Sequence, residues 1–207
     1  MTQARPYRGV EAADRLAQRR GRLLRAGLDL LGAPNQDPAE LTVRGICRRA
    51  GLGVRYFYES FTDKDDFVAA VFDWVIADIA ATTQAAVAAA PPTEQGRAGM
   101  ANIVRIIADD PSAGRLLFSA QLSNPVVARK RVESAAFFTM LLGEHVGSTL
   151  RARGDDRIKA ATHFVVGGVG QTISAWLSGA VELQPDQLVD QLASILDVLA
   201  DPKVYRG

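Results

Sequence analysis

The stretch LTVRGICRRAGLGVRYFYESFTDKDDF, residues 41–67, decides how this chain is read. Val43, Ile46, Cys47 and Ala50 recur at helical spacing. Thr42 stands where an N-cap hydroxyl meets a free amide of the helix that follows, and Gly51 ends that helix. Leu52 and Gly53 make a short connection, after which residues 54–60 read as a further, aromatic-rich helix that breaks before Thr62. Phe57 and Phe61 complete a small apolar core with the helix before them. The grammar is that of a helix-turn-helix, in which the second helix is short, held at a fixed angle and exposed on one side. Val54, Arg55, Tyr56, Tyr58 and Glu59 are left for that outer side, putting a cation and phenolic hydroxyls where phosphates and base edges would lie.

Residues 1–13 mix Pro6 and Gly9 with charges and lack a periodic apolar face, so a mobile arm is expected there. From Asp14 the positions Leu16, Leu23, Leu24, Leu28 and Leu31 repeat at helical spacing until Gly32 and Pro34 stop the pattern. Beyond the quoted stretch, Thr62 or Asp63 can cap a fourth helix whose first turn holds Asp65 and Asp66, favourable near the positive end of the helix dipole. An alanine-rich body carries it to Ala90, and Pro91-Pro92 terminates it. Further helices are expected over residues 93–108, 112–122, 125–153, 155–178 and 185–199. No stretch alternates like a strand, and the fold class is all-α. Without a Gly- or Ser-rich linker, the fourth helix is shared between the two halves rather than hinged.

The 207 residues, 48% hydrophobic and 23% charged, can bury an ordinary core without disulfides. Cys47 is the only cysteine, no charged segment followed by an apolar one opens the chain, and no apolar run approaches the roughly 18–20 residues of a membrane span. A cytoplasmic protein with no membrane contact is expected. Net charge is only +1, but residues 1–62 carry 11 Arg and Lys against 6 Asp and Glu, whereas residues 63–207 carry 13 against 17. The basic end can face phosphate. Equally, Arg15, Arg19, Arg20, Arg22 and Arg25 can simply solvate one side of a helix.

Thr42-Val43-Arg44, Ala50-Gly51, Phe57-Tyr58, Phe61 and Lys64 stand at the spacing of the TetR/AcrR family DNA-binding domain, and residues 15–70 resemble it. The resemblance implies that Thr42, Tyr58 and Lys64 touch phosphates, with Arg44 in the same DNA-binding set, and that Val54, Arg55 and Tyr56 read bases. A first-turn lysine opposes the helix dipole, so Lys64 has no obvious folding reason of its own. Gly53, Tyr56 and Ser60 depart from the pattern, standing where a capping Ser, a small Thr or Ser, and a His or Tyr are usual.

The resemblance divides the chain into an arm (1–13), a helix-turn-helix domain (14–62) and an effector-binding and dimerisation domain (63–207). It implies a homodimeric repressor on a palindromic double-stranded operator, released by a small-molecule effector. Ala175-Trp176-Leu177-Ser178-Gly179, followed by Pro185 and an apolar helix, resembles the last two helices of such proteins, which form the dimer interface in relatives. Gly167, Gly168, Trp176, Leu192, Ile195, Leu196 and Leu199 are the candidates there, with Leu188 on the same face. Gly167, Gly168 and Gly170 are poor helix formers and suggest a close helix approach, either between copies or within the chain.

The aromatic and polar candidates for lining an effector pocket are Trp74, Arg105, Phe118, Gln121, Phe137, Phe138, His163 and Gln171. No phosphate loop, metal-spaced cysteine pair or catalytic arrangement is visible, and His145 and His163 are the only imidazoles. No cofactor, metal or enzymatic activity is expected. Cys47 reads as a small core residue. Two other classes stay open: a constitutive DNA-binding or interaction protein with a closed core, and a small helical enzyme, which would need a buried acid–base or metal group.

Overall fold

The computed structural model describes residues 7–34, 40–149 and 156–200, and among them there is no strand. Helix α1 spans Tyr7–Leu31, α2 Val43–Ala50, α3 Val54–Tyr58 and α4 Lys64–Ala89. A single 3-10 turn over Pro92–Glu94 leads into α5, Gln95–Asp109, and then α6, Pro111–Phe118. The last described helices are α7, Pro125–Thr149, α8, Asp156–Leu177, and α9, Pro185–Ala200.

Three boundaries differ from expectation. Helix α1 begins at Tyr7, so residues 7–13 continue it rather than forming an arm. One glycine costs a helix only about 1 kcal/mol, and the run Val10 to Ala13 that follows Gly9 does not break it. Helix α3 stops at Tyr58 and α6 at Phe118, each short of the apolar pattern that suggested it. In both, the residues beyond the end pack as irregular chain: Phe61 and Leu122 remain buried. The expected end of the seventh helix, residues 150–153 with Gly154, lies outside the described residues, as do residues 1–6.

One apolar core runs through most of these elements. It takes Leu23, Leu28 and Leu31 from α1, Ile46 from α2, Phe57 from α3, Phe67 and Phe72 from α4, Leu116 from α6 and Val127 from α7. The first three helices therefore rest on a core that α4 carries onward. A second cluster joins Val104 of α5 to Leu188, Val189 and Leu192 of α9, with Trp176 of α8 packed against it. The Trp176 indole N–H donates to the Leu183 carbonyl at 2.8 Å, so its one polar atom is satisfied.

Helix α6 is gripped at both ends. At its start, the Asp110 carboxylate accepts from the Ser112 amide at 3.1 Å and pairs with Arg25 of α1 at 2.8 Å. Arg115 Nε donates to the carbonyl of Gly32, just past the end of α1. At the other end the half-buried Arg131 of α7 donates to the carbonyls of Arg115, Leu116 and Ser119 over 2.7–3.1 Å. They lie in the last turn of α6 and just past it, where the helix C-terminus leaves carbonyls with spare accepting capacity. Burial draws the Arg131 pKa down, and the guanidinium stays charged all the same. No helix among the described residues is long and apolar enough to cross a membrane.

Gly32 is where α1 and α6 come closest: a Cβ built there would lie 2.6 Å from Ser112 Cα. Gly21, on the exposed side of α1, has nothing within 4 Å. Gly32→Ala should therefore lower unfolding free energy by about 1–3 kcal/mol through overpacking. Gly21→Ala should raise it by roughly 0.5–1 kcal/mol through helix propensity. Equilibrium denaturation of the two variants checks the contrast, and equal effects would argue against so close an approach.

Candidate nucleic-acid interface

Helix α2 is delimited by its own caps. The Thr42 hydroxyl accepts from the Gly45 amide at 3.0 Å, and Gly51 closes the helix in the left-handed conformation at φ 64°, ψ 40°. That backbone geometry favours glycine and lets the chain reverse at once into α3. Helix α4 begins on a reciprocal cap: Asp63 accepts from the Asp66 amide at 2.8 Å, while the Asp66 carboxylate accepts from the Thr62 amide at 2.9 Å.

With only five residues, α3 cannot be stable by itself. Phe57 anchors it from behind, fully buried with its ring 5.4 Å from Phe61 and 5.3 Å from Phe67, centroid to centroid. Phe61 and Phe67 meet edge-on at 5.0 Å. The opposite side of α3 presents Val54, Arg55 and Tyr58, of which Tyr58 is 59% exposed. Tyr56 is half-buried beneath Arg19, whose guanidinium carbon sits 4.4 Å from the ring centre.

Thr42 and Arg44 at the start of α2 and Lys64 at the start of α4 are also exposed. Arg44 and Lys64 make no ion pair among the described residues, so both cations are available to an anion. Cys47 is buried, which raises its thiol pKa; that suits a core residue rather than a reactive thiolate.

The arginine run of α1 does more than solvate a helix face or meet phosphate. Arg22 donates to the Ala50 carbonyl at 2.7 Å and to that of Gly51 at 3.3 Å, capping the C-terminus of α2. Arg20 donates to the Ser60 carbonyl at 2.9 Å and lies 4.4 Å over the Phe61 ring, holding the chain just past α3. Arg19 reaches the Glu59 carboxylate at 3.3 Å. A cation against the last carbonyls of a helix is favoured by hydrogen bonding and by the dipole together. Spacing gives no sign of this, because the carbonyl partners lie 28 to 40 residues away in sequence.

Solved structures share this architecture along almost their whole length. A putative TetR-family transcriptional regulator from Syntrophomonas wolfei superposes with a TM-score of 0.71 at 14% identity, covering 89% of this chain and 95% of that one. The chain has the TetR-type fold. The fatty acid degradation regulator FadR from Bacillus halodurans matches with a TM-score of 0.70 at 14% identity, over 97% of both chains. FadR from Bacillus subtilis, solved in complex with stearoyl-CoA, matches with a TM-score of 0.63 at 16% identity, over 87% of this chain and 97% of its own. No protein-family model and no curated protein matches the sequence.

Within the TetR-type fold the expected effector-lining residues do not all converge. Trp74 and Phe118 are half-buried against the main core, and Phe118 lies 3.7 Å from where a Gly170 Cβ would be. Phe137 and Phe138 meet edge-on at 5.8 Å, with Phe138 the more covered. Arg105 is exposed, pairing with Asp109 at 3.5 Å and donating to Asn102 at 2.8 Å. Gln121 is exposed beyond the end of α6. His163 and Gln171, expected at a pocket, are exposed on α8. His145 has no described side chain.

The dimer candidates separate as well. On α8 the exposed positions Ala160, His163, Phe164, Gly167, Gly168 and Gln171 form one stripe at spacings of three and four. Among the described residues, Cβ atoms at Gly167 and Gly168 would meet nothing, so neither glycine marks a crossing between described helices, whereas Gly170 does approach Phe118. On α9, Ile195 is exposed, Leu196 and Leu199 are half-buried, and Leu192 is not available: it is buried against Val104 of the same chain. Trp176 is likewise held on the inner cluster. Phe164 and Val198, 65% and 66% exposed, belong to the outward faces and were missed, since periodicity marks an apolar position without saying which neighbour covers it.

Removing the Arg22 cap should loosen the first half of the chain in particular. Arg22→Met is expected to cost about 1.5–3 kcal/mol, the range for hydrogen bonds to a charged group. Hydrogen exchange should show the amides of α2 and α3 opening faster while those of α5 and α9 keep their protection. Uniform acceleration across all helices would contradict a local role.

Proposed function

We propose that this chain is a ligand-responsive, DNA-binding transcriptional regulator of the TetR type, acting in the cytoplasm as a homodimer and without enzymatic activity. One observation carries the reading: a five-residue helix is held rigidly from behind by Phe57 and the α1 arginines while its outer side offers Arg55 and Tyr58, flanked by Thr42, Arg44 and Lys64. Fixed angle and exposed polar face are what entry into a major groove demands. In this reading Tyr58, Arg44, Lys64 and Thr42 position the protein on phosphates, and Val54, Arg55 and Tyr56 meet base edges.

The outward stripe on α8, with Ile195 and Val198 on α9, supports association with a second copy. Leu196 and Leu199 border that face, and the two open glycines would let backbones approach. Two recognition helices would then engage the halves of a palindromic operator together. A neighbour of the same fold, FadR from Bacillus subtilis, is in complex with stearoyl-CoA, which supports a small-molecule effector for this chain. Trp74, Phe118 and Phe138 are the candidates retained for lining its site. An effector releases DNA only if it binds the DNA-incompetent state more tightly. Repression by steric occlusion of the operator is the accompanying sign of regulation.

Replacing Arg44 or Lys64 by Ala should weaken binding to all duplexes alike and flatten the slope of log K against log salt by about one each, whereas Tyr58→Ala should weaken binding alike with little change of slope, because a neutral phenol releases no counterion. Fluorescence anisotropy on a duplex enriched from a random pool, at four salt concentrations, tests this. Variants indistinguishable from the parent at every salt would place the phosphate face elsewhere. For the dimer, Phe164→Arg puts a charge on a side chain that is already exposed, so helicity should hold while sedimentation shifts from dimer to monomer. A dimer that persists in Phe164→Arg would move the interface off α8.

A further inference from the structure

Glu59 sits badly for folding. It occupies the C-cap of α3, where an acidic group faces the negative end of the helix dipole, and it follows Arg55 at i+4, the weaker order for a helical ion pair. It also stands on the helix with the exposed cation, where a carboxylate repels phosphate. Yet its two oxygens are both taken, each by a different guanidinium. Oε1 forms an ion pair with Arg55 Nε at 3.2 Å, and Oε2 accepts from Arg19 of α1 at 3.3 Å. The guanidinium carbons of Arg19 and Arg55 lie 4.4 and 5.0 Å from the centre of the Tyr56 ring. One carboxylate and one ring thus tie the most exposed cation of α3 to a longer helix behind it.

The choice of atom matters. Pairing the carboxylate with Nε leaves the two terminal nitrogens of Arg55, on a side chain that is 78% exposed, without a hydrogen bond among the described residues. That end-on pair is the fork that matches O6 and N7 of a guanine in the major groove. An arginine with no such brace is free to take a phosphate oxygen instead, a contact that carries no sequence information. We infer that Glu59 is a positioning residue for sequence readout: by holding Arg55 through Nε, with Arg19 and Tyr56 as backing, it aims the terminal nitrogens of Arg55 at a guanine edge and discourages their capture by the backbone. This rests on the proposed DNA-binding function and assigns the source of its specificity.

The test uses the full-length protein and a duplex library with a randomised core. The parent, Glu59→Gln, Arg55→Ala and the double variant Arg55→Ala/Glu59→Gln are each selected on the library. Each is then measured on the parent's enriched duplex, on its single-base variants and on a scrambled duplex. Glu59→Gln should lose about tenfold in discrimination at the same positions where Arg55→Ala loses it, the scale of one bidentate base contact. Its affinity for the scrambled duplex should not fall, because a negative charge has left the surface. In the Arg55→Ala background the Glu59 change should cost no further discrimination, the signature of a residue acting through another. Thermal melts followed by circular dichroism show whether each variant is folded, and a general loss of structure would lower affinity for scrambled and enriched duplexes together. The inference is overturned if the parent enriches a motif and Glu59→Gln keeps its base preferences, or if the double variant loses discrimination that Arg55→Ala retains. A folded parent that enriches no sequence overturns the DNA-binding reading itself.

Discussion

Everything in the first half of the molecule depends on the burial of one ring, that of Phe57. Helix α3 has five residues and so has nothing of its own to fix its direction. The ring locks into Phe61 and Phe67, and through Phe67 into the start of α4, so the direction of α3 becomes a property of the long helices. Aromatic contacts set the depth; the arginines of α1 set the ends, by bonding the carbonyls at the close of α2 and just past α3. A helix this short can hold a fixed direction because none of its rigidity is local.

The same logic extends to α6. It touches α1 through Gly32 and Arg25, and it is bound to α7 by Arg131. Arg25 also pairs with Asp29 at 3.8 Å, and Asp29 with Arg49 of α2 at 3.4 Å, so the start of α6 is linked by charge to the helix preceding the tight turn. Exposed pairs of this kind contribute little stability singly. They run along the surface from the start of α6 to α2, outside the aromatic core.

Much of this was legible in the sequence. Thr42, Gly51, Asp63 and Pro91-Pro92 mark helix ends by local chemistry, and each marks an end in the structure because capping involves residues two to four apart. Phe57 and Phe61 inward and Tyr58 outward likewise follow from a period of 3.6 residues. What could not be read is whatever needs a distant partner. The α1 arginines look like a solvated face until the carbonyls they bond are placed beside them. Leu192, Ile195 and Val198 all look apolar on one helix, but only the position of α5 decides that Leu192 is covered and Val198 is not. His163 and Gln171 fell on the outer side for the same reason, the rotation of α8 being set by its neighbours rather than by its own pattern.

Arg20, Arg22 and Arg131 share a habit: each spends its guanidinium on backbone carbonyls, Arg131 on three of them at once. A planar fork with several fixed N–H directions suits this better than a compact, strongly hydrated ammonium. Of the 24 basic residues in the chain, 20 are arginine. Arg20, Arg22 and Arg131 serve the architecture as well as the charge. Among homologous chains, lysine and arginine at these three positions should not drift into one another as they do on open surfaces. A substitution table that scores the two as equivalents would undervalue the sites where the helices of this fold are tied together.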